Sequence, residues 1–189
     1  MRVLGIDTSL TATGLALLDL EAIEDGDPLA AYTLDVVTVS APKPTKDKSK
    51  RAMVRRVKAL MNQIEGCFDN TEDRPDAVGI EGLAYGAKGE GVWVLPWIWG
   101  ETIALCETYD VPLTVVSTSA RAKYATGKGN APKDAVLAAA VRLFSEAVDI
   151  TNNNEADAAM VAAATAHRYG LPVLPVTAYR LEVLDKLGD

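Results

Sequence analysis

Val3-Leu4-Gly5-Ile6-Asp7-Thr8-Ser9-Leu10-Thr11-Ala12-Thr13-Gly14-Leu15-Ala16-Leu17-Leu18 is the stretch that decides the fold. An apolar run ends in a carboxylate, a hydroxyl-rich turn follows, and a second apolar run returns. Short apolar runs bounded by turn residues read as buried strands. The stretch predicts adjacent strands over 2–8 and 13–19, with Asp7 at the exit of the first. A charge in that place is costly unless something positive sits beside it. A metal ion meets that need, and the rest of the chain can be searched for further ligands. The competing reading is local: Asp7 accepts hydrogen bonds from the turn that follows it.

Working outward, the acidic stretch 21–28 is a turn, and 32–40 alternates and is rich in Val and Thr, so it is a third strand. The segment 46–68 carries Met53, Val57, Leu60, Met61 and Ile64 at helical spacing. Asp76–Glu81 is a short buried strand that again ends in a carboxylate. Residues 82–91 are Gly-rich and form a loop, and the chain is then helical through Tyr109. Leu113–Val116 is a strand. Ser117 and Ser119 are the two candidate caps for a short helix through Tyr124. Pro132 suits the first turn of a helix running to about Ala147. An Ala-rich helix spans 152–167, and Val173–Leu187 reads as a strand-like piece and a short helix. Three strands, a helix, then alternating strand and helix predict an α/β chain with a mixed five-stranded sheet and helices on both faces. The whole of 1–189 is expected to form one domain, with 170–189 as a C-terminal extension.

The 189 residues are 49% hydrophobic and 24% charged, an ordinary globular composition. No run approaches the roughly 18 apolar residues of a membrane span, so no membrane role is expected. Cys67 and Cys106 lack metal-ligand spacing, which favours reduced thiols and a cytoplasmic setting. The formal net charge of −7 argues weakly against nucleic acid. Its distribution argues the other way. Lys43, Lys46, Lys48, Lys50, Arg51, Arg55, Arg56 and Lys58 are opposed only by Asp47, and Arg121, Lys123, Lys128 and Lys133 form a second basic stretch. A basic face with an acidic back remains compatible with phosphate binding.

Asp7, Glu81 and Asp157 are the candidate chemistry. Asp7 and Glu81 each terminate a short apolar strand, so neighbouring strands would bring them to one edge of the sheet. Asp157 lies near the start of the Ala-rich helix, among small residues that let a helix end press close to a sheet. Mg²⁺ is commonly held by carboxylates, water and substrate phosphate. The competing readings are that Glu81 merely begins a loop, that Asp157 caps with Asn154, or that Asn152 caps with Glu155.

Gly5-Ile6-Asp7-Thr8-Ser9 leading to Thr13-Gly14, then Ile80-Glu81, then Glu155-Ala156-Asp157-Ala158, resemble in order and spacing the RuvC family of Holliday-junction resolvases, within the RNase H-like fold. The resemblance runs roughly to Tyr169. It implies that Asp7, Glu81 and Asp157 bind Mg²⁺, with Mn²⁺ able to substitute and two ions per site. Where the family usually has Asp or His, this chain has Asn154. The fourth ligand is therefore Asn154 or the adjacent Glu155, with Glu155 preferred. The Asn-Glu-Ala-Asp string resembles phage-encoded members, which extends the expected setting to a phage-infected host.

The resemblance implies a structure-selective endonuclease that resolves four-way DNA junctions in recombination and repair. Lys133 would stand near the scissile phosphate, Lys123 and Lys128 would contact the backbone, and Tyr85 would stack on an unpaired base. Arg51 and Arg55, in the first basic stretch, are candidate phosphate contacts. It also implies a homodimer, which places two active sites on symmetric strands of one junction. The apolar stretch around Trp93, Trp97 and Trp99 is either core or that interface, and His167 has no catalytic role. Three alternatives stay open: a nuclease for flaps and forks, a non-catalytic junction-binding protein, and an ATP-binding protein of the actin and sugar-kinase type. For the last, the chain is too short to hold a second lobe.

Overall fold

The computed structural model describes residues 1–23, 27–69, 74–83 and 89–188. Five strands make one mixed sheet: β1 (Arg2–Asp7), β2 (Thr13–Leu20), β3 (Tyr32–Val39), β4 (Ala77–Glu81) and β5 (Leu113–Val116). Their order across the sheet is β3-β2-β1-β4-β5. The first two pairings, β1–β2 and β2–β3, are antiparallel, and β1–β4 and β4–β5 are parallel. The helices are α1 (Lys50–Glu65), α2 (Gly91–Thr108), α3 (Thr118–Thr126), α4 (Lys133–Leu143), α5 (Asn153–Arg168) and α6 (Ala178–Leu184). The expected mixed five-stranded sheet is the observed one.

Side chains alternate across each strand, and that alternation separates two cores. Leu4 and Ile6 of β1, Leu15 of β2, and Val78 and Ile80 of β4 pack with Val57, Leu60 and Ile64 of α1 and Val94 and Ile98 of α2. The opposite face carries Val3, Ala16, Leu18 and Ala77, which pack against the alanines of α5 and, beyond it, against α3, α4 and α6. Both faces are therefore covered, and β1, β2 and β4 read as near-continuous apolar runs for that reason.

On the α5 face the small residues have a steric purpose. A Cβ at Gly5 would fall 2.2 Å from the Ala158 carbonyl oxygen, and one at Gly14 would fall 2.0 Å from the Asn154 carbonyl oxygen. A Cβ at Gly79 would lie 2.2 Å from the Thr165 hydroxyl. Three adjacent strands thus each omit a side chain where α5 crosses. The helix answers with Ala158, Ala159, Ala162 and Ala163, all fully buried. Sheet and helix meet backbone to backbone, with the helix N-terminus over the ends of β1 and β2.

Helix boundaries follow local chemistry. The N-terminus of α1 lies at Lys50 and not at Lys46, because Ser49 caps it and accepts from the Ala52 amide. Of the two cap candidates for α3, Ser117 is the one used; its hydroxyl accepts from the Ala120 amide. The stop is Gly127, at φ 81° in the left-handed conformation that glycine adopts without strain. The C-terminus of α4 comes at Leu143, short of the expected Ala147, because Phe144 turns into the core and meets Tyr32 edge-on at 6.2 Å. In Val173–Leu187 the expected short helix is α6, whereas the expected strand-like piece before it does not form; a single bridge, Val115 to Gly188, comes after the helix. No helix among the described residues is long and apolar enough to cross a membrane.

The glycine seat is testable. Gly14→Ala must push backbone against backbone, and overpacking of this kind costs about 1–3 kcal/mol. Urea unfolding is expected to show that loss, whereas alanine at exposed Gly100, where an added Cβ meets nothing within 4 Å, should not destabilise the protein.

Candidate active site

Period-2 alternation carries Asp7 and Glu81 onto the α5 face. Asp7 follows Val3 and Gly5 on that face of β1, and Glu81 follows Ala77 and Gly79 on that face of β4. The two strands are parallel and in register up to Ile6 beside Ile80. One further step sets the carboxylates side by side. Asp7 also stands opposite Gly14 across the β1–β2 ladder, so the gap left by Gly14 is what admits the start of α5. Asp157 comes in with it. Ligand atoms of Asp7, Glu81 and Asp157 all lie within 4.8 Å of one another. Glu81 and Asp157 are buried, and Asp7 is half-buried at the mouth.

Three carboxylates this close repel, and the site shows two responses. Burial raises the Asp7 carboxyl from 3.8 to about 7, with charge repulsion from Glu81 and a hydrogen bond to it adding to the rise; Arg121 and Lys133 pull it back. The second response is Arg121 itself, only 2% exposed. One guanidinium nitrogen pairs with Asp157, and the other stands 3.3 Å from Glu81. In the second basic stretch the expected backbone contact is Lys123, yet Arg121 is the residue that α3 turns into the site. On a helix two residues are about 200° apart, so only one of the pair can face inward. Lys123 faces the other way and pairs with Glu182 of α6.

The cleft above the carboxylates is lined by Asp7, Thr8, Glu81, Gly82, Leu83, Leu95, Thr118, Arg121 and Lys133. Lys133, the first residue of α4, is thus in the same cleft as Asp7 and Glu81. Positive charge at a helix N-terminus, beside a lysine head that has no ion pair among the described residues, suits an anion. One tertiary contact and one local turn contact hold the frame. The Trp99 indole donates to the Glu81 carbonyl at 3.0 Å, tying α2 to the end of β4. Thr13 closes the turn after Asp7, its hydroxyl accepting from the Ser9 amide at 3.0 Å and donating to the Ser9 carbonyl at 2.5 Å.

Glu155 belongs elsewhere. Its carboxylate accepts from the Thr151 amide and hydroxyl, both at 2.9 Å, and from the Thr38 hydroxyl at 3.3 Å. Asn152 meanwhile accepts from the amides of Asn154 and Glu155. This is a reciprocal cap at the start of α5, with Glu155 reaching back one residue beyond the capping Asn152. Burial would raise the Glu155 carboxyl, but these hydrogen bonds outweigh it and hold it below the ordinary range. The Glu155 carboxylate is thus turned toward the cap, and the cluster with ligand atoms within 4.8 Å comprises Asp7, Glu81 and Asp157. Asn154 is half-buried, with its carbonyl against Gly14.

The other expected nucleic-acid residues that the structure describes lie on separate elements. Lys128 is exposed on the loop after α3, and Arg51 is exposed on α1. Arg55 is exposed but already paired with Asp47 at 2.7 Å. Tyr85 lies outside the described residues. On α2, Trp93 stacks on Trp97 with ring centroids 6.1 Å apart, and neighbouring Val92 is 59% exposed. His167 is buried, its Nδ1 in hydrogen-bond contact with the Tyr124 hydroxyl at 3.1 Å.

All three ligand candidates offer oxygen, and the half-buried Asp7 is left with a charge it holds poorly. Such a donor set fits a hard divalent cation. Two predictions follow from the charges. Folding raises the Asp7 carboxyl, so its contribution to stability is full at acid pH and falls as pH rises from about 4 through about 7. Asp7→Asn is expected to stabilise the metal-free protein by about 1–3 kcal/mol near pH 8, a gain that shrinks toward pH 5. Chemical unfolding at both pH values measures it; equal stabilities near pH 8 would contradict the shift. Glu155→Ala should cost about 1 kcal/mol of stability as a lost cap and leave Mn²⁺ affinity unchanged in a direct titration.

No family model matches the chain. Among curated proteins, the crossover junction endodeoxyribonuclease RuvC of Thermomicrobium roseum is 29% identical over 127 residues, covering 67% of this chain and 68% of that protein. RuvC of Frankia casuarinae is 28% identical over 144 residues, 76% of each. Among solved structures, Thermus thermophilus RuvC superposes with a TM-score of 0.64 at 22% identity, covering 93% of this chain and all of that one. The same protein in complex with a Holliday junction substrate gives 0.65 at 21% identity, covering 93% of this chain and 99% of that one. The chain is thus similar in sequence to curated RuvC proteins over two thirds or more of its length, and it shares the fold of the solved RuvC structures.

Proposed function

We propose that the protein is a metal-dependent, structure-selective endodeoxyribonuclease that resolves four-way DNA junctions. The observation that carries this reading is the convergence of Asp7, Glu81 and Asp157, three sequence-distant carboxylates with ligand atoms within 4.8 Å, in a cleft that Lys133 also lines. The relatives named as crossover junction endodeoxyribonucleases supply the reaction class and the branched substrate.

Asp7, Glu81 and Asp157 would hold the divalent cation, Mg²⁺ in the first instance with Mn²⁺ as a substitute. When bound, such an ion lowers the pKa of an attacking water and stabilises the departing 3′ oxygen. The chain's own residues do the rest. Asp7 must give up its proton to serve as a ligand, so metal uptake by the free protein strengthens as pH rises toward about 7. Lys133, at the start of α4, meets the scissile phosphate, and the exposed Lys128 and the α1 face with Arg51 and Arg55 carry the flanking backbone. Tyr85 keeps its proposed role of stacking on an unpaired base. The exposed Val92 and Trp93 of α2 support a homodimer, whose two-fold axis matches the symmetry of a four-way junction.

The test is a cleavage assay on a four-way junction, a flap and plain duplex, with and without Mg²⁺. Wild type is expected to nick the junction in paired positions, at least about tenfold faster than the others, and to stop when the metal is chelated. Asp7→Asn is expected to bind the junction and not cut it. Lys133→Ala should lose about 10²-fold in rate, the scale of one removed transition-state contact. Equal rates on junction and flap with plain duplex uncut would favour a general branched-DNA nuclease, equal rates on all three would overturn the structure-selective reading, and tight binding with no Mg²⁺-dependent nicks would leave a junction-binding protein.

A further inference from the structure

The carboxylate cluster is packed around a permanent internal cation. Arg121 is buried, forms an ion pair with Asp157 through Nη1 and stands 3.3 Å from Glu81, while neither its Nε nor its Nη1 makes a regular hydrogen bond among the described residues. A guanidinium does not give up its proton in a protein, so this charge is part of the site at every working pH. Burying it is sustained only because two carboxylates face it.

The charges then set a limit. Asp7, Glu81 and Asp157 carry three negative charges when ionised. Arg121 cancels one, and a single divalent ion cancels the other two. A second divalent ion would leave the buried site with excess positive charge, and no further described acid is at hand to absorb it. Glu155 is committed to the cap of α5, and Asn154 is neutral. The charge of a substrate phosphate is met separately by Lys133 at the mouth of the same cleft.

We propose that Arg121 takes the electrostatic place of the second metal ion, so that this chain works with one divalent cation per active site and a built-in guanidinium. The proposal rests on the reading of Asp7, Glu81 and Asp157 as metal ligands and replaces the expectation of two ions. In this role Arg121 is a positioning residue: it sets the charge and spacing of the Glu81 and Asp157 carboxylates and thereby the number of ions they accept.

The test counts metal directly. Mn²⁺ alone is titrated into the full-length wild type, Arg121→Gln and Arg121→Lys, and unbound Mn²⁺ is followed by electron paramagnetic resonance. Crystals of the wild type with a cleavage-resistant four-way junction, grown in Mn²⁺, give the count in the complex from anomalous scattering. Wild type and Arg121→Lys are expected to hold one ion per chain, in the titration and, for wild type, in the crystal. Arg121→Gln is expected either to accept a second ion or to bind the first about tenfold or more tightly, the scale of removing one unit charge from beside a divalent ion. Two ions in the wild type, a second ion in Arg121→Lys, or unchanged count and affinity in Arg121→Gln would overturn the proposal. No bound ion in the wild type would instead remove the metal-dependent reading on which it rests. Should Arg121→Gln fail to fold by circular dichroism, the wild-type and Arg121→Lys counts decide.

Discussion

The close approach of α5 to the sheet is the constraint on which the rest of this structure depends. Gly5, Gly14 and Gly79 leave no room for even a methyl group between strand and helix. The alanines of α5 answer them with side chains just large enough to fill the remaining gap at the density of a protein interior. This packing has a consequence beyond stability. Asp157 lies one turn into a helix whose start is seated on Gly14, and Gly14 stands opposite Asp7. The steric condition that lets the helix lie flat is therefore also the condition that closes the carboxylate cluster.

Bringing three acids together stores repulsion, and the chain handles it with charge already in the fold. Asp7 holds its proton to about pH 7, and Arg121 lies against Glu81 and Asp157. Both responses would suit the metal site proposed above. A carboxyl that titrates near neutrality is readily deprotonated when a cation arrives, and the buried guanidinium offsets part of the repulsion between Glu81 and Asp157. The same logic explains the separation of duties at the start of α5. Asn152 and Glu155 satisfy the open end of the helix and reach Thr38 on the edge strand, which leaves Asp157, further in, facing the cluster.

Much of this was legible in the amino-acid order. Strand exits at Asp7 and Glu81, and a small-residue helix start before Asp157, are local patterns. Period 2 and period 3.6 place them without reference to the rest of the fold. Other residues could not be placed this way. Arg121 and Lys123 are both basic and two positions apart, and nothing local says which faces inward; the answer depends on where α5 and α6 pack against α3. Glu155 and Asn154 were equally ambiguous. A helix start offers a carboxylate two uses, as cap and as ligand. The presence of Thr38 from a strand more than a hundred residues earlier belongs to the fold and not to the segment.

By itself, then, the sequence determined the elements, the alternation that splits the core in two, and the three acids at element ends, because each follows from short-range periodicity and turn chemistry. Only the tertiary structure decided the strand order β3-β2-β1-β4-β5, the turning of Arg121 into the site and Lys123 out of it, and the assignment of Glu155 to the cap. Those outcomes depend on the distance between surfaces that meet only in the folded chain. At that range a few ångströms decide whether a charge becomes a ligand, a counter-ion or a cap.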